Sequence, residues 1–151
     1  MHKIMCVHVF DRPGVLDQIT GIIRRNSVNI QAIASGSVAE GISQITMVFD
    51  GHVRLDVLGS RLSEMSCVRG WEKCVPETHI IRELLLARFN ERQKHLMEDG
   101  MRVISEEGGM TFVEYMAEPP VIDAIFEKLR ENNVACARGG VLGLSLGKGE
   151  K

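Results

Sequence analysis

Asp11-Arg12-Pro13-Gly14-Val15-Leu16 joins two stretches of different periodicity, and that change of period decides the fold. Before it, Lys3 to Phe10 alternates, with Met5, Val7 and Val9 set against Ile4, Cys6, His8 and Phe10. Both faces are apolar, which suits a central strand. After it, Val15, Leu16, Ile19, Ile22 and Ile23 recur at helical spacing, and Asp17, Gln18, Arg24 and Arg25 take the other side. Proline fixes one backbone dihedral and glycine admits unusual ones, so a strand turns into a helix within four residues.

The pattern continues outward. Asn26-Ser27 ends the helix, and Val28 to Ser35 alternates as a second strand. Gly36 to Gly41 reads as a loose hairpin connection to a third strand, Ile42 to Phe49, whose Ile45, Met47 and Phe49 face a core. Asp50-Gly51 turns the chain into a helix striped by Leu55, Leu58, Leu62 and Met65; Cys67 to Val75 is a fourth strand, closed by Pro76. The order βαββαβ gives an α+β unit, one antiparallel sheet with both helices on one face.

The second half repeats the order without repeating the sequence. Ile80 to Phe89 is an apolar strand, Glu91 to Asp99 a short charged helix, and Met101–Glu107 with Met110–Met116 a hairpin around Gly108-Gly109. Pro119-Pro120 opens a helix with the stripe Val121, Ile122, Ile125, Phe126 and Leu129. Val134 to Ala137 is the last strand, and the glycine- and lysine-rich tail from Gly139 to Lys151 is expected to be partly mobile. The expected division is 1–76 and 77–151. Modules of that size bury too little surface alone, which favours packing on each other or on another chain.

Composition excludes several classes. A net charge of −2, from 18 basic and 20 acidic residues, leaves no electrostatic footprint for nucleic acid, and 5% aromatic residues supply no stacking platform. No apolar run is long enough to span a membrane and no cleavable signal pattern stands at the start, so a cytoplasmic location is expected. Cys6, Cys67, Cys74 and Cys136 show neither a C-x-x-C pair nor a secreted framework, so free thiols are the default. Cys6 and His8 read as core residues of a strand rather than metal ligands, and His52, His79 and His95 have no ligand spacing. No catalytic set or metal site is expected.

The turn at 11–16 carries the chemistry. A helix N-terminus presents unpaired N–H groups and about half a positive charge, a fit for a carboxylate. Gly14 has no side chain to keep a ligand off the backbone. The dipole contributes about 0.3–1 kcal/mol when exposed and about 2 kcal/mol at most, so an anchor for the ligand's amine and a side-chain pocket are also needed.

These residues carry a resemblance. Asp11-Arg12-Pro13-Gly14-Val15-Leu16, then Ile19, Gly21, Arg24-Arg25, Val28-Asn29-Ile30 and Ser43-Gln44-Ile45-Thr46, resemble the ACT domain of acetohydroxyacid synthase (acetolactate synthase) small subunits. Arg82-Glu83-Leu84 resembles the start of that family's second domain, and Gly139-Gly140-Val141-Leu142-Gly143-Leu144-Ser145 its ending. The resemblance implies two tandem ferredoxin-like domains, an amino-acid-binding ACT domain at 1–76 and an ACT-like domain with a glycine-rich tail at 77–151. It implies a non-catalytic regulatory subunit in branched-chain amino-acid biosynthesis. Such a subunit stimulates a catalytic partner and confers feedback inhibition by valine or another branched-chain amino acid. It would bind no cofactor itself; thiamine diphosphate, FAD and Mg belong to the partner.

In that family the effector lies between two ACT domains of a homodimer. Carried over, Asp11 and Pro13 shape the turn, and Gly14, Val15 and Leu16 offer N–H groups to the carboxylate. Asn29 of the facing chain holds the ammonium group, and Ile30 lines the side-chain pocket. Many family members have Asn where this chain has Asp11. An ionised Asp11 accepts from an ammonium but repels a carboxylate, so the departure bears on effector identity and affinity. Asn90-Glu91-Arg92-Gln93 stands where the second half would need such a turn, and no amino-acid site is expected there.

Plainer readings stand beside these. Asp11 suits a turn or cap on local grounds alone, Gly14 can serve only the turn, and Asn29 can be a solvent-facing strand residue. At the level of function the alternatives are a free-standing ACT sensor controlling another enzyme or transcription, and a small enzyme on the same scaffold.

Overall fold

The computed structural model describes residues 1–147 and divides into two compact units, Met1–Ile81 with the residues from Val141 onward, and Arg82–Gly140. The expected boundary at 76/77 therefore moves. The chain passes from one unit to the other within a strand, between Ile81 and Arg82, and returns within another, between Gly140 and Val141.

The first unit comprises β1 (His2–Phe10), α1 (Val15–Arg25), β2 (Ala32–Ala39), β3 (Ile42–Asp50), α2 (Leu55–Ser63) and β4 (Val68–Lys73). Its sheet has the order β2-β3-β1-β4, with every neighbouring pair antiparallel. β1 is central, which is why both of its faces are apolar. Met5, Val7 and Val9 meet Ile19 and Ile23 of α1 and Leu58 and Leu62 of α2 in one core. α2 approaches β4 closely because Gly59 has no side chain; the Trp71 indole occupies the place a Cβ would take. On the opposite face, Ile4, Cys6 and Val48 lie under Ile81 and Val141.

The second strand begins four residues later than its alternation suggests. Ser27, with φ of 53°, ends α1 in the left-handed region; its N–H donates to Arg24 O at 2.9 Å and that of Val28 to Ile23 O at 3.3 Å. This closing motif uses the backbone of 27 and 28, so the ladder starts only where Gln31 N–H reaches Val48 O at 2.9 Å. β2 then runs to Ala39, opposite Ile42, so residues 36–39 are strand rather than loose connection.

The second unit contains β5 (His79–Asn90) from Arg82 onward, a 3₁₀ turn (Lys94–Leu96), β6 (Arg102–Glu107), β7 (Met110–Ala117), α3 (Pro119–Glu131) and β8 (Ala135–Ser145) as far as Gly140, with sheet order β6-β7-β5-β8. Leu85, Ala87 and Phe89 of β5 pack with Val113 on Ile122, Ile125 and Leu129 of α3. Glu83, buried on β5, takes both Nε and Nη2 of Arg138 at 2.6 and 2.9 Å, while Arg138 Nη1 meets Asp123 at 2.6 Å. The hydrogen bond to Glu83, followed by that to Asp123, raises the guanidinium's pKa against the opposing effect of burial.

Three expectations are corrected. The helix at Glu91–Asp99 shrinks to the 3₁₀ turn, because so charged a segment lacks an apolar stripe to dock. The last strand does not stop at Ala137 but reaches Ser145, so much of the glycine-rich tail is ordered strand; residues 148–151 lie outside the described part. Leu146 N–H donates to Thr78 O at 2.8 Å, beyond the strand's end. Finally, Cys6 and Cys74 are not free thiols: their Sγ atoms are bonded, 68 residues apart in sequence. Cys74 N–H donates to Ile4 O at 2.9 Å, which sets the two side by side. Cys67 and Cys136 remain free.

Among the described residues no helix is long and apolar enough to cross a membrane, and no three His, Cys, Asp or Glu side chains group as metal ligands.

Candidate effector-binding site

β1 ends at Phe10, and the turn that follows is fixed from two sides. Phe10 N–H donates to Cys67 O and Asp11 N–H to Gly41 O, both at 2.9 Å. Arg12 lays its guanidinium over the Phe10 ring, 5.3 Å from the centroid, which leaves a cation at the turn. Gly14 is the N-cap of α1 with φ of 85°, a conformation costly for most other residues, and a Cβ there would meet open space. No side chain caps the helix. Its first internal bond runs from Gln18 N–H to Gly14 O at 3.1 Å, so the amides of Leu16 and Asp17 precede the intrahelical ladder.

The placement of the candidate residues is uneven. Asp11, Pro13 and Gly14 are exposed, and Leu16 is about half exposed at 49%. Val15 is buried in the core, so only its backbone faces the turn, and its N–H already donates to Arg12 O at 3.3 Å. Asp11 makes no capping bond, which removes the plain capping reading.

At the other end of α1 an open groove of about 460 Å³ is lined by Thr20, Ile23, Arg24, Ser27, Val28, Asn29 and Ile30. Asn29 is exposed; Ile30 is half-buried against the core and forms an apolar wall. Thr20, Arg24 and Ser27 line the groove but were not among the expected candidates, although their i, i+4, i+7 spacing puts them on one side of the helix and could have revealed them. The groove lies where the helix carbonyl ends concentrate partial negative charge, which favours an ammonium group.

The structure brings Asp11 to Leu16 together at one end of α1 and Asn29 with Ile30 at the other. α1 has 11 residues, roughly 16 Å at the α-helical rise. β1 and β2 are both antiparallel to β3, so β1 finishes at the edge of the sheet opposite to the one where β2 begins. The two clusters do not meet within one chain.

Residues 5–69 match the model of an AHAS small subunit-like ACT domain. The chain is 26% identical over 155 residues to the probable acetolactate synthase small subunit of Methanothermobacter thermautotrophicus, covering 95% of this chain and 92% of that protein. The chain is thus similar to acetolactate synthase small subunits, and its residues 5–69 to their ACT domain. It is also 35% identical over 91 residues to acetolactate synthase small subunit 1, chloroplastic, of Nicotiana plumbaginifolia; this is 60% of the present chain and 18% of the length of the plant protein. The crystal structure of the acetolactate synthase small subunit from Thermotoga maritima has a TM-score of 0.79, covers 96% of this chain and 97% of its own, and is 18% identical. That likeness shows the fold, two tandem ferredoxin-like units of ACT type. Both of these curated relatives are named as small subunits of acetolactate synthase.

Proposed function

We propose that this chain stimulates an acetolactate synthase catalytic subunit, carrier of the thiamine diphosphate, FAD and Mg, and makes it sensitive to valine or another branched-chain amino acid. The observation that carries the reading is the separation of two half-sites by the length of α1. The uncapped turn at Gly14 suits a carboxylate; the Asn29 groove supplies an amide oxygen for an ammonium and Ile30 for an apolar side chain. The two charged groups of an amino acid share one carbon, so no single molecule spans both ends of one helix.

A second copy resolves this. β2 is an edge strand with an exposed face, open to pairing. A two-fold copy running antiparallel along that edge sets the Gly14 turn of one protomer against the Asn29 groove of its partner. The effector then acts by differential affinity for two states of the complex, with a coupling of about 1–3 kcal/mol typical of such regulation.

The test is to mix the purified chain with its cognate catalytic subunit and measure synthase activity with and without valine, leucine and isoleucine. Stimulation, and inhibition by one of the three, is expected. No stimulation, with retained amino-acid binding, would point instead to a free-standing sensor.

A further inference from the structure

The back face of the first sheet carries a sulfur pair that the effector reading does not use. Cys6 on β1 and Cys74 just beyond β4 are bonded through Sγ, and neither residue is more than 4% exposed. Gly143 of β8 lies over them: a Cβ at that position would stand 3.0 Å from Cys74 Sγ and 3.2 Å from Cys6 Sγ. Gln44 on β3 fixes this cover. Its Nε2 donates to Gly143 O at 2.8 Å and lies 3.6 Å from Cys6 Sγ, while its Oε1 meets His8 Nε2 at 3.1 Å. Leu146 N–H, bonded to Thr78 O, pins the segment three residues further on.

We propose that Cys6 and Cys74 form a thiol–disulfide exchange site, sealed by the end of β8, whose co-reactant is a small-molecule thiol or its disulfide. In reduction, a small thiolate attacks one cysteine sulfur; the S–S bond breaks, and the other sulfur leaves as a thiolate that takes a proton from water. A second small thiolate attacks the mixed disulfide, frees the remaining cysteine and departs as a small-molecule disulfide. The protein gains two electrons and two protons, and two thiols become one disulfide. Oxidation is the reverse, with the small-molecule disulfide as oxidant.

The attacker must touch a sulfur, and with Gly143 in place neither is accessible. Exchange therefore requires residues 143–146 to lift. The coupling is reciprocal, as linkage demands. Once the bond is broken the two sulfurs separate to non-bonded contact, directly under the close cover of Gly143. The reduced pair thus shifts the equilibrium toward the lifted segment, and the oxidised pair toward the docked one. A Cβ at 143 would crowd both sulfurs, so glycine suits this close cover.

The test uses the full chain and dithiothreitol as probe. After equilibration with oxidised glutathione, denaturation and alkylation without reductant should modify two cysteines, Cys67 and Cys136; four modified cysteines would overturn the site. Under native conditions Gln44→Ala should speed reduction by dithiothreitol about fivefold, the worth of one hydrogen bond. Leu146→Pro, which deletes the donor to Thr78 without touching the sheet, should act in the same direction and serves if Gln44→Ala does not fold. Rates unchanged in the folded variants would refute the seal. Amide exchange at Leu146 should be at least fivefold faster in the reduced protein, and equal rates in the two redox states would refute the coupling. None of these readouts involves the catalytic subunit or an amino acid.

Discussion

In the first unit, β1 leads through Gly14 into an eleven-residue helix whose N-terminus no side chain caps. In the second, β5 leads into Asn90–Gln93, where two side chains cap one another: Asn90 N–H donates to Gln93 Oε1 at 3.1 Å and Gln93 N–H to Asn90 Oδ1 at 3.0 Å. Only a three-residue 3₁₀ turn follows. The strand orders β2-β3-β1-β4 and β6-β7-β5-β8 are otherwise the same. What separates the candidate binding unit from the other unit is therefore the fate of a few backbone amides. They are left open beside a glycine in one case and satisfied internally in the other. Fold alone carries no site.

The units also differ in how their interiors are held. Met5, Val7 and Val9 of β1 face an apolar core, whereas β5 buries Glu83 against Arg138, which also meets Asp123. The largest effect is accordingly expected from Arg138→Ala, which leaves the buried Glu83 carboxylate without its partner. A loss of about 3 kcal/mol is expected in denaturant unfolding, with faster amide exchange confined to residues 82–140. A loss below about 1 kcal/mol would mean that the second unit rests on its apolar contacts alone, like the first.

Next in size is the ligand effect. With valine, leucine or isoleucine at 100 times its dissociation constant, about 2.7 kcal/mol of added stability is expected for the natural chain. Gly14→Asp should abolish it, because a carboxylate then stands where the proposed ligand's carboxylate would bind, while the proposed dimer should persist in sedimentation. A Gly14→Asp protein that still responds would erase the distinction between the two turns.

Gly59→Ala tests the apolar packing of the first unit. The added methyl meets the Trp71 indole, so a loss of about 1–3 kcal/mol is expected. Trp71 is the sole tryptophan, and its emission should shift accordingly. The smallest effect belongs to Asn90→Ala, which removes a cap worth about 1 kcal/mol. It should lower stability without conferring any response to a branched-chain amino acid, since no glycine or facing amide accompanies it. A response would show that open amides suffice.

Much of the first unit was legible because each of its elements has one dominant period. The alternation of β1, the stripe of α1 and the Leu55–Met65 stripe place those elements correctly. Asp11 to Leu16 was legible as a candidate site because strand, glycine and helix follow in sequence there. The residues Thr20, Arg24 and Ser27 of the groove were not, since polar residues on a helix ordinarily signal nothing more than a solvated face. β2 was misplaced because a helix-closing motif and an alternating strand overlap at Val28–Ile30, and the hydrogen bonds of the cap prevailed.

By itself the chain of residues determined most local elements and the βαββαβ order of the first unit, because periodicity and turn chemistry act over a few positions. Only tertiary structure decided where residues 141–146 pack, that Cys6 meets Cys74, and that the second half keeps no first helix. Those outcomes rest on contacts between segments tens of residues apart, where neighbours in space, not in sequence, supply the hydrogen bonds and the buried surface.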